Sequence, residues 1–168
     1  FWKQAGPKRW FAKDEAFDAD FRDRGHALHW AAARRELDGW MDTAEGALAL
    51  LILLDQYPRN SFRGTAHQFA TDPLALMFAN QAVARDLHLA VEPALKNFLL
   101  LPFEHSERIE DQDRYMALVA GDEELEKWGK LHRDIIVRFG RFPHRNAALG
   151  RQTTPEEQAF LDEGGFGG

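Results

Sequence analysis

Two segments of this chain turn the same kind of corner, and that repetition narrows the folds open to it. They are Leu54-Asp55-Gln56-Tyr57-Pro58-Arg59-Asn60 and Arg141-Phe142-Pro143-His144-Arg145-Asn146, with their Arg-Asn pairs 86 positions apart. Each follows an apolar stretch of helical period, passes an aromatic-Pro step, and meets a glycine four residues beyond its asparagine, at Gly64 and Gly150. A capping residue and a proline come next in both, Asp72-Pro73 and Thr154-Pro155, which is the pattern of a new helix start. The pattern predicts a duplicated helix-corner-helix unit that gathers polar side chains at two equivalent places.

Strand signals are weak elsewhere, and apolar residues recur every three or four positions, which predicts an all-α fold of about seven antiparallel helices. The first helix is expected from about Asp14 to Glu36, with Phe17, Phe21 and Leu28 along its inner side and Asp38-Gly39 closing it. The second follows Asp42, with Glu45 completing a capping box, and reaches Gln56. A third runs from Asp72 to about Leu87, and a short fourth starts at Pro93 and is ended by Pro102. The fifth spans Phe103 to Val119, and the sixth spans Asp122 to Phe139 with Gly140 as a left-handed cap. The seventh opens on Thr154-Pro155-Glu156-Glu157, a capping box. No linker divides residues 1–168, so one helical domain is expected, of the bundle or α-solenoid kind, with a loose glycine-rich tail over 164–168. The tetratricopeptide consensus Trp-x2-Leu-Gly-x2-Tyr is absent.

Composition removes several classes of function. A 45% hydrophobic content with 13 Phe and 5 Trp supports a folded core. A net charge of −6 argues against general nucleic-acid binding, which needs a basic face. With no cysteine, disulfides, thiolate zinc sites and a cysteine nucleophile are excluded, and a cytoplasmic location is expected. The longest apolar run, Ala47 to Leu54, is far short of the roughly 20 residues of a membrane helix. The chain opens on Phe1 without a methionine, so a truncated N-terminus is expected. Neither a Gly-rich phosphate cradle nor a Gly-x-Ser-x-Gly elbow occurs.

The residues that can carry chemistry each admit two explanations. His132 falls within a stripe of Leu125, Trp128, Ile135 and Phe139, as a core imidazole or as a proton carrier lining a cleft. Asp55 continues the face of Leu48, Leu51 and Ile52, so its charge needs a partner, either Arg59 or Arg63 in a clasp or a substrate. Glu104, His105 and Glu107 open the expected fifth helix. Acids there complement the helix dipole, whereas an imidazole is held neutral, as suits a base or a ligand. Arg138, Arg141, His144, Arg145 and Arg151 crowd into 14 residues beside Asn146, to pair either with internal acids or with an external anion. Glu104, His105, His132 and His144 lack the helical spacing of metal ligands. No metal site or cofactor is therefore predicted, and a divalent ion stays open. His26 and His29 are surface or packing residues.

Leu-Asp-Gln-Tyr-Pro-Arg-Asn, Leu-Pro-Phe-Glu-His-Ser-Glu and Arg-Phe-Gly-Arg-Phe-Pro-His-Arg-Asn, in this order, resemble the bacterial family catalogued as domain of unknown function 924. The resemblance extends from Trp10-Phe11 and Phe17-Asp18 to Leu149-Gly150-Arg151 and Thr154-Pro155-Glu156-Glu157. It implies a tetratricopeptide-like helical fold and no assigned role. Its motif positions are Asp55, Arg59, Asn60, Glu104, His105, Ser106, Glu107, His132, Arg138, Arg141, His144, Arg145 and Asn146.

Three functions follow as expectations. In the first, a cleft binds a small anionic molecule or a peptide carboxylate, with Arg59, Arg141 and Arg145 holding the anion, Asn60 and Asn146 orienting the corners, and Asp55, His132 and Arg138 completing the lining. In the second, a hydrolase or lyase uses His105 or His144 as general base, Glu104 to orient it, and the arginines to stabilise negative charge. In the third, the chain is an interaction scaffold whose polar motifs lock its corners. The oligomeric state is not encoded in any of these features.

Overall fold

The structure is a computed structural model that describes residues 1–167. It is all-helical, as the periodicity predicts, and the described residues contain no strand. In chain order the helices are α1 (Trp2–Ala5), α2 (Pro7–Trp10), α3 (Glu15–Ala33), α4 (Ala44–Leu51) and α5 (Tyr57–Ser61). They continue with α6 (Asp72–Ala84), α7 (Leu101–Glu104), α8 (Ile109–Leu118), α9 (Glu123–Phe139) and α10 (Pro155–Asp162). Two compact units form, one of residues 1–63 with 67–102, the other of 64–66 with the chain from 103 onward. Of the glycine-rich tail, Gly168 lies outside the described residues.

Helix ends with local chemical signals sit where that chemistry puts them. Asp14 accepts the N–H groups of Ala16 and Phe17 at the start of α3, and Asp122 accepts that of Leu125 at the start of α9. Gly140, at φ +69°, ends α9, and Thr154 with Glu157 forms the expected capping box on α10. Other ends differ. Thr43, not Asp42, caps α4 by accepting the Gly46 N–H, because Asp42 is already inside a 3-10 turn over Asp38–Asp42. The first helix stops at Ala33, and Arg35 turns left-handed at φ +65°. α6 ends at Ala84, before the left-handed Asp86. Pro102 does not terminate a helix; it lies in the first turn of α7, where its missing N–H costs nothing. The expected fifth helix begins only at Ile109, so His105 to Arg108 form a loop and are not a helix N-terminus.

The second helix runs past its proline. Residues Ile52–Gln56 form a π turn in which the Tyr57 N–H reaches back five residues to the Ile52 carbonyl. Pro58 offers no N–H at the next rung, so Leu53 lacks its donor five residues on and Leu54 its donor four residues on. Side chains supply both. His29 Nδ1 donates to the Leu53 carbonyl at 2.9 Å, and the Thr71 hydroxyl donates to that of Leu54.

In each unit, a glycine marks the buried face of the longest helix. α3 buries Phe17, Phe21, Gly25, His29 and Ala32, while Leu28, expected inside, is 41% exposed. A Cβ on Gly25 would lie 2.5 Å from the Tyr57 ring. α9 buries Gly129, His132, Ile135 and Ile136, and Trp128 points outward at 46% exposure. A Cβ on Gly129 would lie 2.7 Å from both the Tyr115 ring and Met116 Sδ. The apolar stripes mislead because the closest approach, and not the largest side chain, sets which way a helix turns. Gly25→Ala and Gly129→Ala should each destabilise by about 1–3 kcal/mol through overpacking, more than the ~1 kcal/mol gained in helix propensity. Urea unfolding measures the balance, and a stabilised variant would show that the ring gives way freely.

Candidate functional site

At the first corner, the polar residues grip helix starts within the first unit. Arg59 forms a two-pronged pair with Asp72, Nη1 to Oδ1 at 2.8 Å and Nη2 to Oδ2 at 3.0 Å, and its Nη1 lies 3.2 Å from Asp55 Oδ1. Asp55 is fully buried and also accepts from Gln56 Nε2 at 2.6 Å. Asn60 Nδ2 donates to Asp18 Oδ1 at 2.6 Å, and Arg63 Nε donates to its Oδ2 at 3.0 Å. Asp55, Arg59 and Asn60 are thus brought together, around carboxylates of the chain itself.

Behind this corner sits an imidazole pair. His29 is fully buried and stacks on Tyr57 at 4.9 Å between ring centroids. A carbonyl can only accept, so His29 Nδ1 bears the proton and Nε2 the lone pair, which accepts from His67 Nε2–H at 2.8 Å. Burial pushes the His29 pKa down, the Leu53 hydrogen bond opposes this, and His67 and His26 push further down. Burial also lowers that of His67. His26 is exposed.

At the second corner one carboxylate gathers four donors. Glu157, only 2% exposed, accepts from Arg141 Nε at 2.6 Å, Arg141 Nη2 at 2.8 Å, Asn146 Nδ2 at 3.2 Å and the Thr154 N–H at 2.8 Å. Its pKa falls to about 2, because the Arg141 hydrogen bonds outweigh burial and are joined by the Thr154 groups and the Arg141 charge. Arg138 meets Glu156 at 3.1 Å. Arg151 holds Glu107 with two bonds of 2.8 and 2.7 Å, and the Phe142 N–H donates to the same carboxylate at 2.8 Å. Burial raises the Glu107 pKa, yet the Arg151 bonds, the Phe142 N–H and the charges of Arg145 and Arg151 bring it below its ordinary value. Glu107 is therefore a loop residue clasped by arginine, and not an acid at a helix start.

The remaining candidates meet beside this corner, within the second unit. Glu104, at the end of α7, and His132, on the inner face of α9, are both buried, with Glu104 Oε1 3.4 Å from His132 Nδ1. His132 Nδ1 lies 2.9 Å from the Trp128 carbonyl, so Nδ1 carries a proton. The His105 ring is 6.4 Å from that of His132. Phe142 stands 5.7 Å from His132 and 5.6 Å from His144, and the Arg145 guanidinium lies over Phe142 at 4.5 Å. Arg145 Nη2 donates to the His105 carbonyl at 2.9 Å. Gln112 Nε2 secures the loop by donating to the carbonyls of Glu104 and Ser106. An imidazole and a carboxylate this close can hold and pass a proton. Among the described residues no three His, Cys, Asp or Glu converge as metal ligands, and no helix is long and apolar enough to cross a membrane.

Residues 1–165 match the family described as bacterial protein of unknown function, DUF924. The chain belongs to this family. A solved structure of a protein of unknown function from Agrobacterium tumefaciens is 55% identical to it, with a TM-score of 0.94 over 96% of this chain and 93% of that one. No curated protein matches significantly. In this DUF924 chain, sequence patterns missed Glu157 as the hub of the second corner, Asp72 as the partner of Arg59, and the pairing of His29 with His67. Glu157 carried a local signal, its capping box, but nothing in its spacing revealed Arg141, 16 residues upstream.

Proposed function

We propose that this DUF924 protein performs acid–base chemistry of the hydrolase or lyase type on a small polar molecule, with His132 as the general base. What supports this is the buried Glu104 carboxylate 3.4 Å from His132 Nδ1, which favours the imidazolium formed when Nε2 takes a proton. His105 and His144 flank the base and supply a second group for proton return. Arg145, fixed over Phe142 and bonded to the His105 carbonyl, places positive charge beside the cluster. An anion clamp built on Arg59 and Arg141 finds less support, since each already grips a carboxylate of the chain with two bonds. The absence of cysteine agrees with a cytoplasmic setting.

Wild type, His132→Gln and Glu104→Gln should be compared across phosphate and carboxylic esters, amides and hydroxy acids that can lose water. Turnover is expected in wild type, with kcat reduced about 10²- to 10⁴-fold in His132→Gln. Turnover that survives His132→Gln unchanged would remove the base from the proposal. A ligand that raises Tm in wild type only, without turnover on any class, would leave a binding site in place of an enzyme.

A further inference from the structure

Phe166 stands alone in a glycine run, Gly164-Gly165-Phe166-Gly167. Its ring meets His132 edge-on at 4.5 Å and His144 at 5.3 Å, and it packs against the cluster of Ile135, Ile136 and Phe142. The base of this strap is firmly set. Gly164, at φ +80°, turns the chain at the end of α10, and the Gly164 and Gly165 N–H groups donate to the carbonyls of Leu161 and Phe160. A Cβ on Gly165 would lie 2.5 Å from the Phe160 carbonyl oxygen and 2.6 Å from its ring, so only glycine lets the strap run flush against α10. α10 is in turn clamped to the second corner by Glu157. The half-buried Phe166 ring lies beyond this anchor against side chains of the cluster, with Gly165 before it to absorb a change in backbone torsion.

We infer that Phe166 is a gate over the imidazole cluster. In the closed state its ring covers His132 and His144. Rotation about Gly165 lifts the ring while α10 stays clamped, and opens that side of the cluster to a reacting molecule. The inference rests on the acid–base reading for its purpose, since it regulates access to that base, but its geometry stands apart from turnover.

Diethyl pyrocarbonate acylates neutral imidazole nitrogen and needs no enzymatic activity, so it separates the two ideas. Rates at each histidine, read by peptide mass spectrometry, should be compared in wild type, Phe166→Ala and Gly165→Ala. Phe166→Ala removes the ring, and Gly165→Ala displaces the strap while keeping it. In both variants His132 and His144 should react about tenfold or more faster, because a gated group reacts in proportion to its open fraction. Exposed His26 should keep its rate, and fully buried His29 should remain slow. Unchanged rates at His132 and His144 would overturn the gate. So would a parallel rise at His29, which would mean that the variants unfold instead of opening. A gate confirmed without any turnover would leave Phe166 covering a binding site.

Discussion

Glu157→Ala should cost about 3–5 kcal/mol of stability, the range for removing one partner from a buried, hydrogen-bonded charge pair. The loss extends beyond one ion pair. The Thr154 N–H loses its acceptor, Arg141 keeps only the Gln152 carbonyl and Asn146 only the Thr153 hydroxyl, and the capping box of α10 opens. Arg141→Ala should cost less, because Arg141 is partly exposed and Glu157 keeps its bonds to Asn146 and Thr154. Acid gives an independent check. The Glu157 pKa is depressed from 4.5 to about 2 in the folded chain, so as pH falls the unfolded state takes up the proton first. The stability from this group is complete above about pH 4.5 and is lost between there and pH 2. Urea unfolding across this range should show a steep acid limb in wild type and a shallower one in Glu157→Gln. If Glu157→Ala unfolds at the wild-type midpoint, the clasp does not hold the corner.

His29→Ala should be as damaging, about 3–5 kcal/mol, since it empties a fully buried ring site against Tyr57 and leaves the Leu53 carbonyl without its donor. His29→Leu refills most of the volume and isolates the second effect, for which about 1–3 kcal/mol is expected. The pair also predicts a pH dependence in a higher window. Both imidazoles have folded pKa values below 6.5, so the unfolded chain protonates first on acidification. Their contribution is fully present above pH 6.5 and declines below it. A proton on His29 Nε2 would face the His67 Nε2–H, forcing His67 into its other tautomer, and a second proton would break the contact. Of the neighbouring groups, His26 on α3 adds to the unfavourable charge. Wild-type stability should therefore fall as the pH drops below 6.5, and His67→Phe should flatten that fall. A wild-type profile level across this window would show that the pair accepts protons without strain.

Much of the helical framework was legible along the chain. Asp14, Asp122, Gly140 and Thr154 act as written because a cap forms bonds within three or four residues, so its partners are already adjacent in sequence. Pro58 shows where that logic weakens. A proline inside an apolar run reads as a stop, yet the helix passes it, because His29 and Thr71 arrive from elsewhere to satisfy the carbonyls it strands. Trp128 and Leu28 show the same weakness on helix faces: their periodicity is sound, but Gly129 and Gly25 offer closer approaches to Tyr115 and Tyr57. At the candidate site, the motifs named Glu104, His132 and Arg145 without pairing them correctly. The expected helix start at Phe103 was absent, so Glu104 ends a short helix and meets His132 while Glu107 turns to Arg151.

By itself, the sequence determined that this protein is all-helical, where the helices with local caps begin, and which family it belongs to, because caps, prolines and apolar period act over a turn or two of chain. Only the tertiary structure decided which face of each helix is buried, which carboxylate each arginine grips, and which imidazole stands against Glu104. Those choices depend on close packing and on charge pairs between residues far apart in the chain, as in Arg151 with Glu107, 44 positions apart, and no local pattern carries that information.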